Sequence, residues 1–173
     1  MDTEQKNLIY SRESVEVNGK PSIFLAGPSP RNVAVLSWRP MAIKMLSELK
    51  FDGFVVVPEY RDQSETFGYI SQVEWENEAL EKSTLIMFWV PRDLDSMPAF
   101  TTNVEFGRYV GRKPVVYGRP DASPKNAYLD WYYEKSTGNE PLKSLQETVE
   151  AAVKAAVFAF SWKAREKFKF SEK

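Results

Sequence analysis

Apolar residues in this chain fall into short continuous runs separated by helix-length segments of mixed polarity. Ser22-Ile-Phe-Leu-Ala26 reads as a strand running into Gly27-Pro28, and Phe54-Val-Val-Val57 as a second strand stopped by Pro58. Leu85-Ile-Met-Phe-Trp-Val90 is a third, again ended by a proline, and Pro114-Val-Val-Tyr117 a fourth, ended by Gly118. Such runs suit strands covered on both faces. Between them lie helical spacings: Trp38 to Lys50 through Met41, Met45, Leu46 and Leu49, Gln72 to Lys82, and Thr102 to Val110. Leu142 to about Lys167 reads as a closing helix with Leu145, Val149, Ala152, Val153, Ala156 and Phe160 on one face, against the sheet or a partner subunit. Strands alternating with helices predict a parallel sheet of about four to five strands with helices on both faces, in one domain over 1–173. At the start, Asn7 to Val17 reads either as a strand or as a loose terminus. Asn18-Gly19 is a hairpin signal, so residues 1–20 are expected to form an arm pairing antiparallel with 21–26.

Composition narrows the chemistry. The 173 residues are 43% hydrophobic and 27% charged, with 23 Lys and Arg against 24 Asp and Glu. A net charge of −1 gives no global reason to bind nucleic acid. The chain has no cysteine and no histidine. Disulfides, thiolate nucleophiles, Ser-His-Asp triads and Cys- or His-ligated metals are thereby excluded. Acid–base or covalent chemistry must run on carboxylates, Lys, Tyr, Ser or Thr. The polar start and the lack of any membrane-length apolar run predict a soluble, cytoplasmic protein. The tail from residue 161 interleaves Lys163, Arg165, Lys167, Lys169 and Lys173 with Trp162, Phe168 and Phe170. Basic residues late in a helix complement its dipole, and that reading, or a subunit contact, outweighs nucleic-acid binding.

Ligands of open parallel sheets bind beyond the carboxyl ends of the strands. Those ends are Ala26 to Arg31, Pro58 to Asp62, Pro91 to Asp95 and Gly118 to Asp121. None carries a nucleotide-binding glycine fingerprint. In the first, Gly27 permits close approach of a ligand to the backbone, and Arg31 and Arg39 are either anion grips or solvated cations. Trp38, Trp75 and Tyr60 are candidate walls for a planar ligand, whereas Trp89 belongs to the core.

Three acidic positions stand out. Glu105, just inside a helix at the carboxyl edge of the sheet, is either a nucleophile kept ionised by the helix dipole or the partner of Thr102 in a capping box. Glu76 lies between Ala79 and Leu80 on the inward arc of its helix, where burial would raise its pKa and suit it to act as an acid; a salt bridge is the alternative. Glu74 pairs with Ser71 in a second capping-box pattern. Glu59 is either a binder of a sugar hydroxyl or base, or a solvated loop residue.

Six segments taken in order, Ser22-Ile-Phe-Leu-Ala-Gly-Pro28, Ser37-Trp-Arg-Pro40, Gly53-Phe-Val-Val-Val-Pro-Glu59, Val73-Glu-Trp-Glu76, Ile86-Met-Phe-Trp-Val-Pro91 and Thr101-Thr-Asn-Val-Glu-Phe-Gly107, resemble the nucleoside 2-deoxyribosyltransferase-like family. The resemblance spans about residues 22–118. It implies a flavodoxin-like (Rossmann-like) fold and cleavage of the N-glycosidic bond of a 2′-deoxynucleoside or its monophosphate, followed by transfer of the sugar to a free nucleobase. It implies Glu105 as the nucleophile that becomes covalently deoxyribosylated, and Glu76 or the neighbouring Asn77 as the group that protonates the leaving base. Gly27 and Pro28 would line the base or sugar pocket, and Asn103 would orient Glu105 or a sugar hydroxyl. Arg31, Trp38, Arg39 and Glu59 complete the expected substrate contacts. No metal or organic cofactor is implied, and a homo-oligomer is. The rival readings are an N-glycoside hydrolase with water as acceptor and a non-catalytic nucleotide sensor.

Overall fold

The structure, a computed structural model, describes residues 7–61 and 68–171, with side chains as far as residue 164. Five strands, β1 (Leu8–Tyr10), β2 (Ser22–Ala26), β3 (Phe54–Val57), β4 (Leu85–Trp89) and β5 (Val115–Gly118), form one sheet in the order β1-β3-β2-β4-β5. Every pairing is parallel. Five helices complete the chain: α1 (Arg39–Glu48), α2 (Tyr69–Lys82), α3 (Phe100–Tyr109), α4 (Ala127–Thr137) and α5 (Leu145–Ser171).

Alternation along the strands builds two cores. Phe24, Val56, Ile86, Phe88 and Tyr117 face α2, α3 and α4, where Trp75, Ala79, Phe106 and Tyr133 meet them. Ile23, Leu25, Val55, Leu85 and Met87 face α1 and α5, against Ala42, Leu46, Val149, Ala152 and Ala156. The closing helix therefore spends its apolar stripe on the sheet. The α/β class and flavodoxin-like arrangement hold: the chain steps from β2 to β3 on one side, then crosses back over β2 to reach β4. Opposite steps put the crossover helices on opposite faces. They also open a crevice between the carboxyl ends of β2 and β4, where the strand order reverses.

The N-terminal expectation needs correction. An edge strand exists, but it runs parallel to β3 and forms no hairpin with β2. Both sides of β2 are already occupied, by β3 and β4, so no edge remains for an antiparallel partner. The connector leaving β1 instead lies over α2: Val15 is buried, Trp75 Nε1 donates to Glu13 O at 2.8 Å, and Lys82 Nζ to Val15 O at 3.2 Å. Residues 1–6 of the expected arm, Asp62 of the second loop and the tail side chains from Arg165 onward lie outside the described residues. Helix α4 was not visible in the pattern. Its large residues Tyr128, Leu129, Trp131, Tyr132 and Tyr133 run almost consecutively, so no 3.6-residue stripe marks it.

Candidate functional site

Gly27 directly follows β2 with φ of +148°, and a Cβ there would stand 2.1 Å from the Trp89 carbonyl oxygen. Only glycine lets the two strand ends approach this closely. The turn is then clamped by Arg39, the first residue of α1, which is 1% exposed. Its guanidinium donates to Leu25 O (3.0 Å), Gly27 O (2.7 Å), Ser29 Oγ (3.0 Å) and Glu59 Oε1 (2.6 Å). Ser37 Oγ donates to the same Glu59 oxygen at 2.7 Å. Arg39 is thus a buried anchor of the loop and Glu59 its counter-ion. Trp38 is buried behind the turn, its Nε1 donating to Pro28 O at 3.1 Å. Trp75 is also core, so neither indole is a free stacking wall.

In front of the anchored turn lies a cavity of about 250 Å³. Gly27, Pro28, Ser29 and Arg31 form one wall, Pro98 to Thr101 another, and Arg39, Glu76 and Glu105 line it as well. Arg31 reaches over the Phe100 ring at 5.5 Å. A second cavity of about 270 Å³ opens between α2 and α3, lined by Tyr69, Val73, Val104 and Tyr109 among others. Glu76, Thr101 and Glu105 border both, so the two carboxyls stand where the cavities meet.

Neither acid is a helix cap. Helix α3 opens at Phe100 after Ala99, a left-handed residue at φ +61°, without a side-chain cap. Thr102 is buried inside the first turn and Glu105 is the sixth helical residue, so the capping-box reading fails. The dipole argument for an ionised Glu105 fails with it, because that effect fades beyond the first turn. Ser71 likewise sits inside α2 and donates back to Gly68 O at 2.9 Å, leaving Glu74 exposed and uncapped. The S-x-x-E pattern does form a capping box at Ser144 and Glu147, where Glu147 N donates to Ser144 Oγ and Ser144 N to Glu147 Oε2.

Electrostatics set the two acids apart from every other carboxylate described. Burial, and then the negative charge of Glu76, push Glu105 up to about 8, with Arg39 pulling weakly the other way. Burial also raises Glu76, opposed by a hydrogen bond from Gln72 and by Arg39. Like-charged carboxyls sharing a poorly solvated site cannot both ionise readily near neutrality, so the pair retains a proton.

Asn77 borders the second cavity, but its amide is committed: Nδ2 donates to Val73 O at 2.9 Å and Oδ1 accepts from Arg108 at 2.5 Å. Asn103 faces away, accepting from buried Arg92 at 2.7 Å. The structure therefore brings together Gly27, Pro28, Arg31, Arg39, Glu76 and Glu105. It places Trp38 and Glu59 behind them and Asn103 on the opposite side of α3. Sequence reasoning missed Thr101, which lines both cavities, and Gln72. The latter carried a signal in its position one turn before Glu76 on the same helical face.

A model of the family described as nucleoside 2-deoxyribosyltransferase like matches residues 20–122, which hold β2 to β5 and both acids. The chain belongs to the nucleoside 2-deoxyribosyltransferase-like family. Membership fits a crevice at the strand-order reversal whose titratable centre is a pair of carboxyls. No curated protein matches the chain.

Proposed function

We propose that the protein cleaves the N-glycosidic bond of a 2′-deoxynucleoside, or its 5′-monophosphate, and transfers the deoxyribosyl group to another nucleobase. The observation that carries this reading is the placing of Glu76 and Glu105 together on the lining of two ligand-sized cavities, with both carboxyls pushed up by burial. Retaining cleavage of a glycosidic bond needs one carboxylate to attack and one proton to give to the leaving group. The pair supplies both without histidine, cysteine or metal.

The protons balance. In the free protein the shared proton rests on Glu105. Glu76 accepts it and passes it to the base nitrogen, while a Glu105 oxygen bonds to the anomeric carbon and the C–N bonding pair leaves with the base. In the return half, the acceptor base attacks the anomeric carbon, its N–H proton goes to Glu76 and on to Glu105, and the ester bond breaks. Arg31, at the cavity mouth, is the side chain placed to meet a 5′-phosphate. The cytoplasm, where nucleosides and free bases occur together, is the proposed location. A homo-oligomer is proposed as well. Exposed Tyr128, Trp131, Phe158 and Trp162 offer apolar surface for it, and light scattering of the purified chain tests it.

The deciding experiment mixes each deoxynucleoside and its monophosphate with a different free base and separates the products by chromatography. Exchange that disappears in Glu105→Ala supports transfer. Free base without exchanged product indicates a hydrolase. Binding with no turnover in either protein overturns the catalytic reading in favour of a nucleotide sensor.

A further inference from the structure

Two carboxyls that share one proton work in a fixed order only if their surroundings distinguish them. Arg39 does not, because it favours the charged form of both. Gln72 does. Its Nε2 donates to Glu76 Oε1 at 2.7 Å. Among the described residues, nothing donates a hydrogen bond to Glu105.

An amide has an oxygen end as well as an N–H end, and presenting the oxygen would repel a carboxylate. The orientation is set from the far side, where the hydroxyl of Ser11 donates to Gln72 Oε1. Reversing the amide would turn its oxygen on Glu76 and break the hydrogen bond that the buried Ser11 hydroxyl donates. Ser11 is itself held firmly. Its backbone N–H donates to Glu59 O at 3.0 Å, and its neighbour Arg12 donates to Ser71 Oγ at 2.8 Å. The segment leaving the edge strand is thus docked on both the loop after β3 and α2.

We propose that Ser11 and Gln72 are positioning residues: the hydroxyl orients the amide, the amide holds Glu76 as the ionised member of the pair, and the shared proton therefore rests on Glu105. This rests on the reading of the pair as nucleophile and proton carrier. A Glu76 kept acidic in this way takes the Glu105 proton only in passing and releases it to the leaving base. Without the amide, Glu76 competes for the proton and traps it. The charged and titratable groups that line the two cavities with Glu76 are Arg39 from α1, Glu105, Arg108 and Tyr109 from α3, Tyr69 from α2 and Arg31 from the loop after β2. Of these, Arg39 acts on both carboxyls, and Glu76 acts on Glu105.

The test is a titration of the full chain carrying ¹³C-labelled glutamate carboxyls, followed by NMR without substrate, with Glu76→Gln and Glu105→Gln assigning the two signals. In the wild type Glu76 titrates below Glu105. In Gln72→Leu the Glu76 midpoint rises by about one unit, a tenfold change in its protonation equilibrium. Ser11→Ala moves it the same way by less, and Ser11→Thr restores it. Unmoved midpoints in a folded Gln72→Leu protein overturn the proposal. A shift there with none in Ser11→Ala overturns the role of Ser11. If Gln72→Leu fails to fold, the Ser11 pair of variants decides alone. A shifted titration in a protein that exchanges no base sinks the transfer reading and leaves the relay standing. Exchange with unmoved midpoints does the reverse. Where exchange occurs, the pH profile of kcat/KM moves with the Glu76 midpoint in Gln72→Leu and stays in place in Ser71→Ala.

Discussion

Helix α3 carries two polar side chains two residues apart, and they meet opposite fates. On one side Asn103 accepts from Arg92, a buried guanidinium that also donates to Asn126 Oδ1 at 3.1 Å and Pro98 O at 2.7 Å. On the other side Glu105 shares two cavities with Glu76 and accepts no hydrogen bond among the described residues. Arg92 and Asn126 are buried while Asn103 itself is exposed, and Glu105 is part-buried. The Arg92 guanidinium is closed off, because neutral acceptors converge on it, although Asn103 on its outer side also borders a separate cavity of about 340 Å³ with Phe106, Tyr128 and Tyr132. The Glu105 side is open, because two like charges face each other and neither has a full set of partners. Hydrogen-bond accounting therefore separates scaffold from site more sharply than distance from the crevice does.

If the contrast holds, substitutions on the two sides change stability with opposite sign. Arg92→Met leaves Asn103, Asn126 and the Pro98 carbonyl without their donor. Asn126 and the Pro98 carbonyl are buried, so at about 1–3 kcal/mol for each polar group left dry the loss is at least about 2 kcal/mol, read as a lower urea midpoint. Little or no loss would mean that water replaces the guanidinium and that this side is not closed.

Glu105→Gln goes the other way. The folded protein holds this carboxyl's proton up to about 8, against an ordinary value of 4.5. Folded protein then binds more protons than unfolded chain between those limits, so stability falls as pH rises through them. The full penalty is present above pH 8. Replacing the acid by a neutral amide is expected to stabilise the fold there by about 2–3 kcal/mol, after allowing for partial exposure, and by nearly nothing at pH 4. Thermal melts across pH 4–9 for both proteins measure this. A gain that does not depend on pH would remove the argument for a strained acid. The same proton should govern activity, with exchange declining above about pH 8 as the pair loses it.

Much of this architecture was legible, and the illegible parts share a cause. Strands β2 to β5 announce themselves because a strand buried on both faces is a short uninterrupted apolar run. Glu76 could be placed because helical geometry fixes its direction relative to Ala79 and Leu80. Pairings across long stretches of chain could not be read. Arg39 meets Glu59 only through the packing of β3 beside β2, and Ser11 meets Gln72 only because the edge strand runs parallel. A chain read from its N-terminus offers Asn18-Gly19 as a hairpin and says nothing of the strands that will already flank β2. Sequence placed Asn103 beside Glu105 because they are neighbours along the chain. About 100° of rotation per residue puts them on different sides of the helix.

That last point yields a smaller test. Asn103→Ala removes one acceptor from Arg92, for a stability loss of about 1–2 kcal/mol. It leaves the carboxyl pair untouched, so kcat for exchange is expected to change by less than about twofold, against the 10²–10⁴-fold that an acid–base group contributes and that Glu76→Gln should remove. A large fall in kcat for Asn103→Ala at wild-type stability would bring Asn103 back to the substrate and break the division of α3.

The smallest effect bears on why Glu105 could be taken for a cap at all. The same hydroxyl-x-x-acid pattern lies inside helices at Ser71 and Thr102 and at a helix start at Ser144, where backbone N–H groups need it. At Ser144 the helix begins, and serine and glutamate satisfy each other's backbone donors. At Thr102 the helix has already begun, its first turn set by Ala99, and the acid is carried past the N-terminus into the cavity. Ser144→Ala should therefore cost about 1 kcal/mol, the usual worth of an N-cap. Ser71→Ala should cost less than that, because its hydroxyl donates to the Gly68 carbonyl and accepts from the Arg12 guanidinium and satisfies no backbone N–H of α2. Equal costs at the two serines would mean that Ser71 does contribute to capping α2, and would revive the reading in which acids near these helix starts are structural.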